Sequence, residues 1–221
     1  MGLDWLVSVY APFACVNCGR QGRLICVDCQ PTVVINKRSS CYLCNRLADA
    51  WKVCASCRHK SALRGVVVAS HYGGKVKDVI RLLKYQRAQA AAADLAGLLT
   101  PVVSPTQFDI VTWVPASTQR HRRRGYNPAQ LIAKALARSL ELPAAATLNR
   151  IGHARQVGTP RRLRQQQIQG KIYISNQPKV TGQRLLVIDD VVTTGATINE
   201  CGKVLRTGGA KFVWGAAIAK H

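Results

Sequence analysis

The chain has 221 residues, enough to bury one medium-sized core with something small beside it. Lysine and arginine number 32 against 10 acidic residues, a formal charge of +22, which points to polyanionic partners: nucleic acid or phosphorylated small molecules. No apolar run approaches the roughly 20 residues of a membrane helix, and residues 1–13 carry Asp4 without a basic leader region, so the sequence reads as cytoplasmic, with no stable membrane insertion.

From the amino terminus, Leu3, Leu6, Val7 and Tyr10 predict a short amphipathic helix that Pro12 ends. Eight of the nine cysteines follow as four CxxC pairs, Cys15/Cys18, Cys26/Cys29, Cys41/Cys44 and Cys54/Cys57. In a reducing compartment such pairs argue for zinc rather than disulfides, because each tight turn offers two thiolates and two turns complete a tetrahedral shell. Two structural zinc ions are therefore expected. The short spacer between the first two pairs favours sequential pairing, with Cys15, Cys18, Cys26 and Cys29 on one ion and Cys41, Cys44, Cys54 and Cys57 on the other. Interleaved pairing stays open, as does a redox role for one pair. Basic residues run through the same region (Arg20, Arg23, Lys37, Arg38, Arg46, Lys52, Arg58 and Lys60), and one phosphate-rich ligand does not require so many. The composition then shifts near Lys60, dividing the chain into a helix and double zinc ribbon over 1–60 and a second domain over 61–221.

Residues 65–72 read as a buried, valine-rich strand. Gly73 and Gly74 turn the chain into a helix with Val76, Val79, Ile80 and Leu83 on one face and Lys75, Lys77, Arg81 and Lys84 largely on the other. An alanine-rich helix is expected over 86–99, and a strand over 109–114. That strand ends in Pro115, Ala116 and Ser117, followed by a basic cluster, Arg120, Arg122, Arg123 and Arg124, which resembles an anion site. A further helix is predicted over 130–140. The stretch 149–174 has little periodicity but many amides and arginines, among them Arg155, Arg161, Arg162 and Arg164. A last strand is expected over 212–219, so strands alternate with helices as in a doubly wound parallel sheet.

The most informative run is 185–197, LLVIDDVVTTGAT. Its apolar start suits a parallel strand covered on both faces. Beyond Asp189 and Asp190 lie the hydroxyls of Thr193, Thr194 and Thr197, with Gly195 free to take positive φ and bring N–H groups toward an anion. Ile198, Cys201, Val204 and Leu205 recur at helical spacing, placing this loop at a helix N-terminus, where phosphate is favoured.

A hydrophobic strand, two acids and a TTG-type loop in this order resemble the type I phosphoribosyltransferases. The resemblance implies their fold, phosphoribosyl pyrophosphate as ligand and Mg²⁺ bound with it. By position, Asp189 and Asp190 would meet the ribose hydroxyls, and Val191, Val192, Thr193, Thr194, Gly195, Ala196 and Thr197 the 5-phosphate. Pro115, Ala116 and Ser117 would form the diphosphate loop. More narrowly, the CxxC pairs, Leu83-Lys84-Tyr85, Arg124-Gly125-Tyr126-Asn127 and the 185–197 run resemble, in order, the ComF family, which is linked to DNA uptake and competence. Pro128 stands where that family usually has Gln. The family's mobile active-site loop would fall in the arginine-rich stretch.

The resemblance implies single-stranded DNA and DNA-uptake proteins as partners. Arg122, Arg123, Arg124, Arg155, Arg161 and Arg164 are candidates for nucleic acid or diphosphate. The alternatives are a phosphoribosyltransferase acting on an unknown base or amine, and a regulator that senses the ligand without turnover. No catalytic base is assigned, since His71, His121 and His153 stand isolated, and Cys201 is read as packing.

Overall fold

A computed structural model describes residues 13–33, 38–86, 88–151 and 170–221. The expected amino-terminal helix lies outside them, as do His153 and Arg155, Arg161, Arg162 and Arg164. Four parallel strands, β1 (Val66–His71), β2 (Ile110–Trp113), β5 (Arg184–Val192) and β6 (Phe212–Lys220), form one sheet in the order β1-β6-β5-β2. A two-stranded antiparallel pair, β3 (Leu148–Arg150) with β4 (Ile172–Ile174), forms a separate small sheet that packs into one of the cores.

Both faces of the sheet are covered, which explains the unbroken apolar runs of its strands. Side chains alternate along β5. Leu186 and Ile188 join α1 (Gly74–Tyr85), α2 (Ala91–Gly97) and α4 (Pro128–Ser139) in one core, through Val79, Ile80, Leu83, Leu95, Ile132 and Leu136. Leu185 and Val187 join the opposite core, which takes Ile198, Cys201 and Leu205 from α5 (Ala196–Thr207). The predicted inward faces of α1 and α5 are therefore the observed ones, and Cys201 is fully buried.

Two helix starts differ from the sequence reading, and one helix was not expected. The alanine-rich helix starts only at Ala91, after a turn at residues 89–90. The helix expected from 130 begins at Pro128, because the Asn127 side chain caps it by accepting from Ala129 N–H, and proline suits the first helical position. The arginine cluster is itself a helix, α3 (Thr118–Arg124), capped by Ser117 and ended by Gly125 at φ 80°.

The two cysteine modules repeat one geometry. Cys15 N–H bonds to Arg20 and Cys41 N–H to Arg46, both at 2.8 Å, while Gly19 and Asn45 take matching left-handed conformations. Neither module is separate from the sheet. Leu24, Ile25 and Val33 enter the first core, and Cys41, Tyr42, Val53 and Leu63 the second. Asp94 on α2 accepts from the N–H groups of Leu24 (2.7 Å) and Ile25 (3.3 Å), and burial raises its pKa.

Candidate functional site

In each cysteine module all four sulfurs lie within 4.8 Å of one another, grouped sequentially as Cys15, Cys18, Cys26 and Cys29, and as Cys41, Cys44, Cys54 and Cys57. A tetrahedral ion with Zn–S bonds near 2.3 Å would set its sulfurs about 3.8 Å apart. Cys18 and Cys26 stand at 3.7 Å, Cys44 and Cys54 at 3.5 Å. Four soft thiolates at tetrahedral spacing fit zinc, and either group could hold one ion. The Ser56 hydroxyl beside Cys54, opposed by burial and helped by neighbouring thiols, brings that thiol down to about 6.

The second candidate site lies toward the carboxyl ends of the strands. Asp189 and Asp190 point to opposite faces of β5. Lys84 on α1 reaches Asp190 at 2.7 Å, with both side chains largely enclosed. Asp189 accepts the Asp190 backbone N–H at 2.8 Å. Burial, and then the Asp190 charge, push Asp189 up to about 7, against the lowering pull of Lys84 and Arg120. Only Lys84 is in direct contact with this enclosed acid pair, and Arg120 acts through its charge, so carboxylate oxygens remain that hydroxyl donors or a divalent cation would satisfy.

The turn after the acids is tighter than expected. Val191 and Val192 remain in β5, paired with Ala219 and Lys220 of β6, and Val192 is buried. Only Thr193, Thr194 and Gly195 lie between β5 and α5. Thr194 Oγ1 accepts from Ala196 N–H at 3.3 Å, and Gly195 takes φ 74°, starting the helix.

Tyr42, in the third CxxC turn, packs against this loop. A Cβ on Gly195 would fall 2.5 Å from its ring. Its hydroxyl donates to Asn199 Oδ1 at 2.8 Å, and Lys220 Nζ donates to Cys41 C=O at 3.3 Å. Gly195→Ala combines positive φ with this clash and is expected to cost about 1–3 kcal/mol in urea unfolding; an unchanged midpoint would contradict the contact.

The LKY and RGYN segments meet here. Tyr126 hydroxyl donates to Leu83 C=O, and the Arg124 guanidinium lies 5.1 Å from the centre of the Tyr85 ring. Asn127 Nδ2 donates to Val114 C=O at 2.9 Å, fixing the entry to Pro115, Ala116 and Ser117. Lys84 is the group to which sequence reasoning gave no role, although the LKY segment was the available signal, and Arg120 was read only as part of the basic cluster after the Pro115 loop. Arg122 and Arg123 are exposed on α3, with Arg124 half-buried. His71 bonds to Lys220 C=O through Nδ1, and His121 is exposed on α3.

Residues 123–221 match the family model of the phosphoribosyl transferase domain. The DNA utilization protein YhgH of Salmonella typhimurium is 30% identical, over 96% of this chain and 94% of its own length. The chain belongs to the ComF family of competence and DNA-utilization proteins. Competence protein F of Haemophilus influenzae, another ComF relative, is 26% identical over 88% of this chain and 96% of its own. The ComF chain has the type I phosphoribosyltransferase fold. Among solved structures, the allosteric regulatory enzyme of purine biosynthesis matches with a TM-score of 0.41 at 22% identity, over 58% of this chain and 25% of that one. No helix among the described residues is long and apolar enough to cross a membrane.

Proposed function

We propose that this protein binds phosphoribosyl pyrophosphate with Mg²⁺ at the carboxyl end of β5, and serves DNA uptake or utilization through contact with single-stranded DNA. One observation carries the ligand reading: the enclosed Asp189, Asp190 and Lys84 cluster leads directly into a three-residue turn at a helix N-terminus. In this reading Asp189 and Asp190 accept hydrogen bonds from the ribose hydroxyls. Thr193, Thr194 and Thr197, with the N–H groups from Gly195 onward, hold the 5-phosphate. Pro115, Ala116 and Ser117 face the diphosphate, and Lys84 supplies one cation beside the acids. The residues fit a ligand-borne Mg²⁺, which would neutralise diphosphate charge; Asp189 and Asp190 orient the ribose that shares it.

The raised Asp189 gives the reading a pH signature. Its carboxyl, at about 7, is substantially protonated in the ligand-free protein at about pH 6, and binding requires the anion. Ligand binding should therefore release a proton near pH 6 and almost none near pH 8.5. Calorimetry in buffers of different ionisation heat measures this, and equal release at both values would remove Asp189 from the site.

The DNA half rests on the +22 charge and on the relatives named for competence and DNA utilization. Reversing Arg122, Arg123 and Arg124 to Glu should weaken single-stranded DNA binding whatever its sequence, with a shallower salt dependence. Unchanged retention in a filter assay would take that helix out of the DNA surface.

A further inference from the structure

At the opposite pole of the sheet from Asp189, a groove of about 730 Å³ opens between the second cysteine module and the starts of β5 and β6. Six cations line it: Lys52, Arg58, Arg64, Arg184, Arg206 and Lys211. None of its lining residues is acidic. Arg184 and Asp190 are the first and seventh residues of β5, so the Arg184 end of the groove lies roughly 20 Å from the acid pair at about 3.3 Å per residue, while Ser61 and Ala62 at its other end bond to Tyr42 and Asn199.

The cations are not one solvated fringe. Asp109 holds the Arg184 guanidinium at 2.7 Å, and this partner lowers the Asp109 carboxyl, so that pair adds little net charge. Arg206 Nη1 donates to Ala210 C=O at 2.9 Å and also to Lys211 C=O, which fixes its direction. Arg64 stacks 4.1 Å from the centre of the Phe212 ring. Lys52, Arg58 and Lys211 are exposed. Half-buried Phe212 and Trp214 form part of the wall.

We propose that this groove is a track for single-stranded DNA, physically separate from the Asp189 site. The proposal rests on the DNA half of the proposed function and adds a second contact surface to the α3 arginines. Cations spread along an open groove suit a chain of phosphates better than one compact anion, which would need donors converging on a point. The flat outer face of the Arg64 guanidinium and the aromatic wall offer stacking to unpaired bases, which a duplex keeps inside. DNA seated at the Arg184 end of the groove leaves the β5 site open, so both ligands can bind at once.

The test compares three proteins by fluorescence anisotropy with labelled oligothymidylate over a salt series: wild type, Lys52→Glu/Arg58→Glu/Lys211→Glu, and an equal charge reversal on the outer face of α1, Lys75→Glu/Lys77→Glu/Arg81→Glu. The groove variant should lose about tenfold or more in affinity, and its log–log salt slope should fall by about 2, while the α1 variant changes far less. Zinc content of all three should stay equal, showing that the groove variant is folded. A groove variant that binds like wild type overturns this site while leaving the DNA reading intact. Equal losses in both variants overturn it as well, since net charge alone would then explain binding. A wild-type protein that binds no DNA at low salt removes both. Ultraviolet cross-linking with bromodeoxyuridine should map to peptides containing residues 211–214; cross-links confined to α3 would also overturn the assignment.

Discussion

Protein purified without added metal should carry about two zinc ions per chain, and losing the second should damage the fold far from the cysteines. Structural zinc in such modules contributes apparent binding energies of about 10–16 kcal/mol, which become folding energy when no site exists in the unfolded chain. The two modules are alike in backbone but differ in what they touch. Cys41 and Tyr42 are buried with Leu185, Val187, Ile198 and Cys201, whereas Cys15, Cys26 and Cys29 form a small cluster of their own. Tyr42 also packs on Gly195 and bonds to Asn199. Cys44 and Cys18 are both exposed equivalents of one another, so Cys44→Ser and Cys18→Ser make a matched pair. Each should lose one zinc ion. Hydrogen exchange should then rise across residues 193–199 in Cys44→Ser but not in Cys18→Ser. Metal analysis near zero would sink the zinc sites, and equal exchange in both variants would contradict the Tyr42 contact.

The second large effect concerns the acid pair. Asp189→Ala with Asp190→Ala is expected to abolish saturable binding of phosphoribosyl pyrophosphate, because it removes both acceptors for the ribose hydroxyls and leaves Lys84 without its partner. Stability should move the other way for one of them. Asp189 sits at about 7 in the fold against 3.8 as its ordinary value. A carboxyl raised on folding favours the folded state only while protonated, so this contribution is lost as pH rises from about 4 through 7. Asp189→Asn should therefore stabilise the ligand-free protein near pH 8 and do little near pH 4, read from urea midpoints at the two values. A midpoint that falls at pH 8 would show that the charge is not strained, and the site would need another explanation.

Much of this architecture was legible because its signals are local. The run from Leu185 to Ile188 alternates between two cores, and the spacing of Ile198, Cys201 and Leu205 matches the buried face of α5. Sequential grouping of the cysteines was favoured by the short spacer, with interleaving left open, and the sulfurs group sequentially. Other features depend on partners distant in the chain. Val191 and Val192 extend β5 because β6 runs to Lys220 beside them, so the phosphate-loop candidate shortens to Thr193, Thr194 and Gly195. The helix α3 buries no residue and has no apolar period; only the Ser117 cap and Gly125 mark its ends. Lys84 reads as an outward-facing cation until packing of α1 brings it to Asp190. Tyr42 gives no sign in sequence that it meets a loop more than 150 residues away.

The central claim is that the Asp189 and Asp190 turn is a site for phosphoribosyl pyrophosphate. Calorimetric titration of the wild-type protein with that compound and Mg²⁺ is the most direct measurement. The structure leads to saturable binding at one site per chain, weakened by omission of Mg²⁺ and lost in the double alanine variant. No binding heat at any temperature tried, or equal heat in wild type and variant, would contradict it.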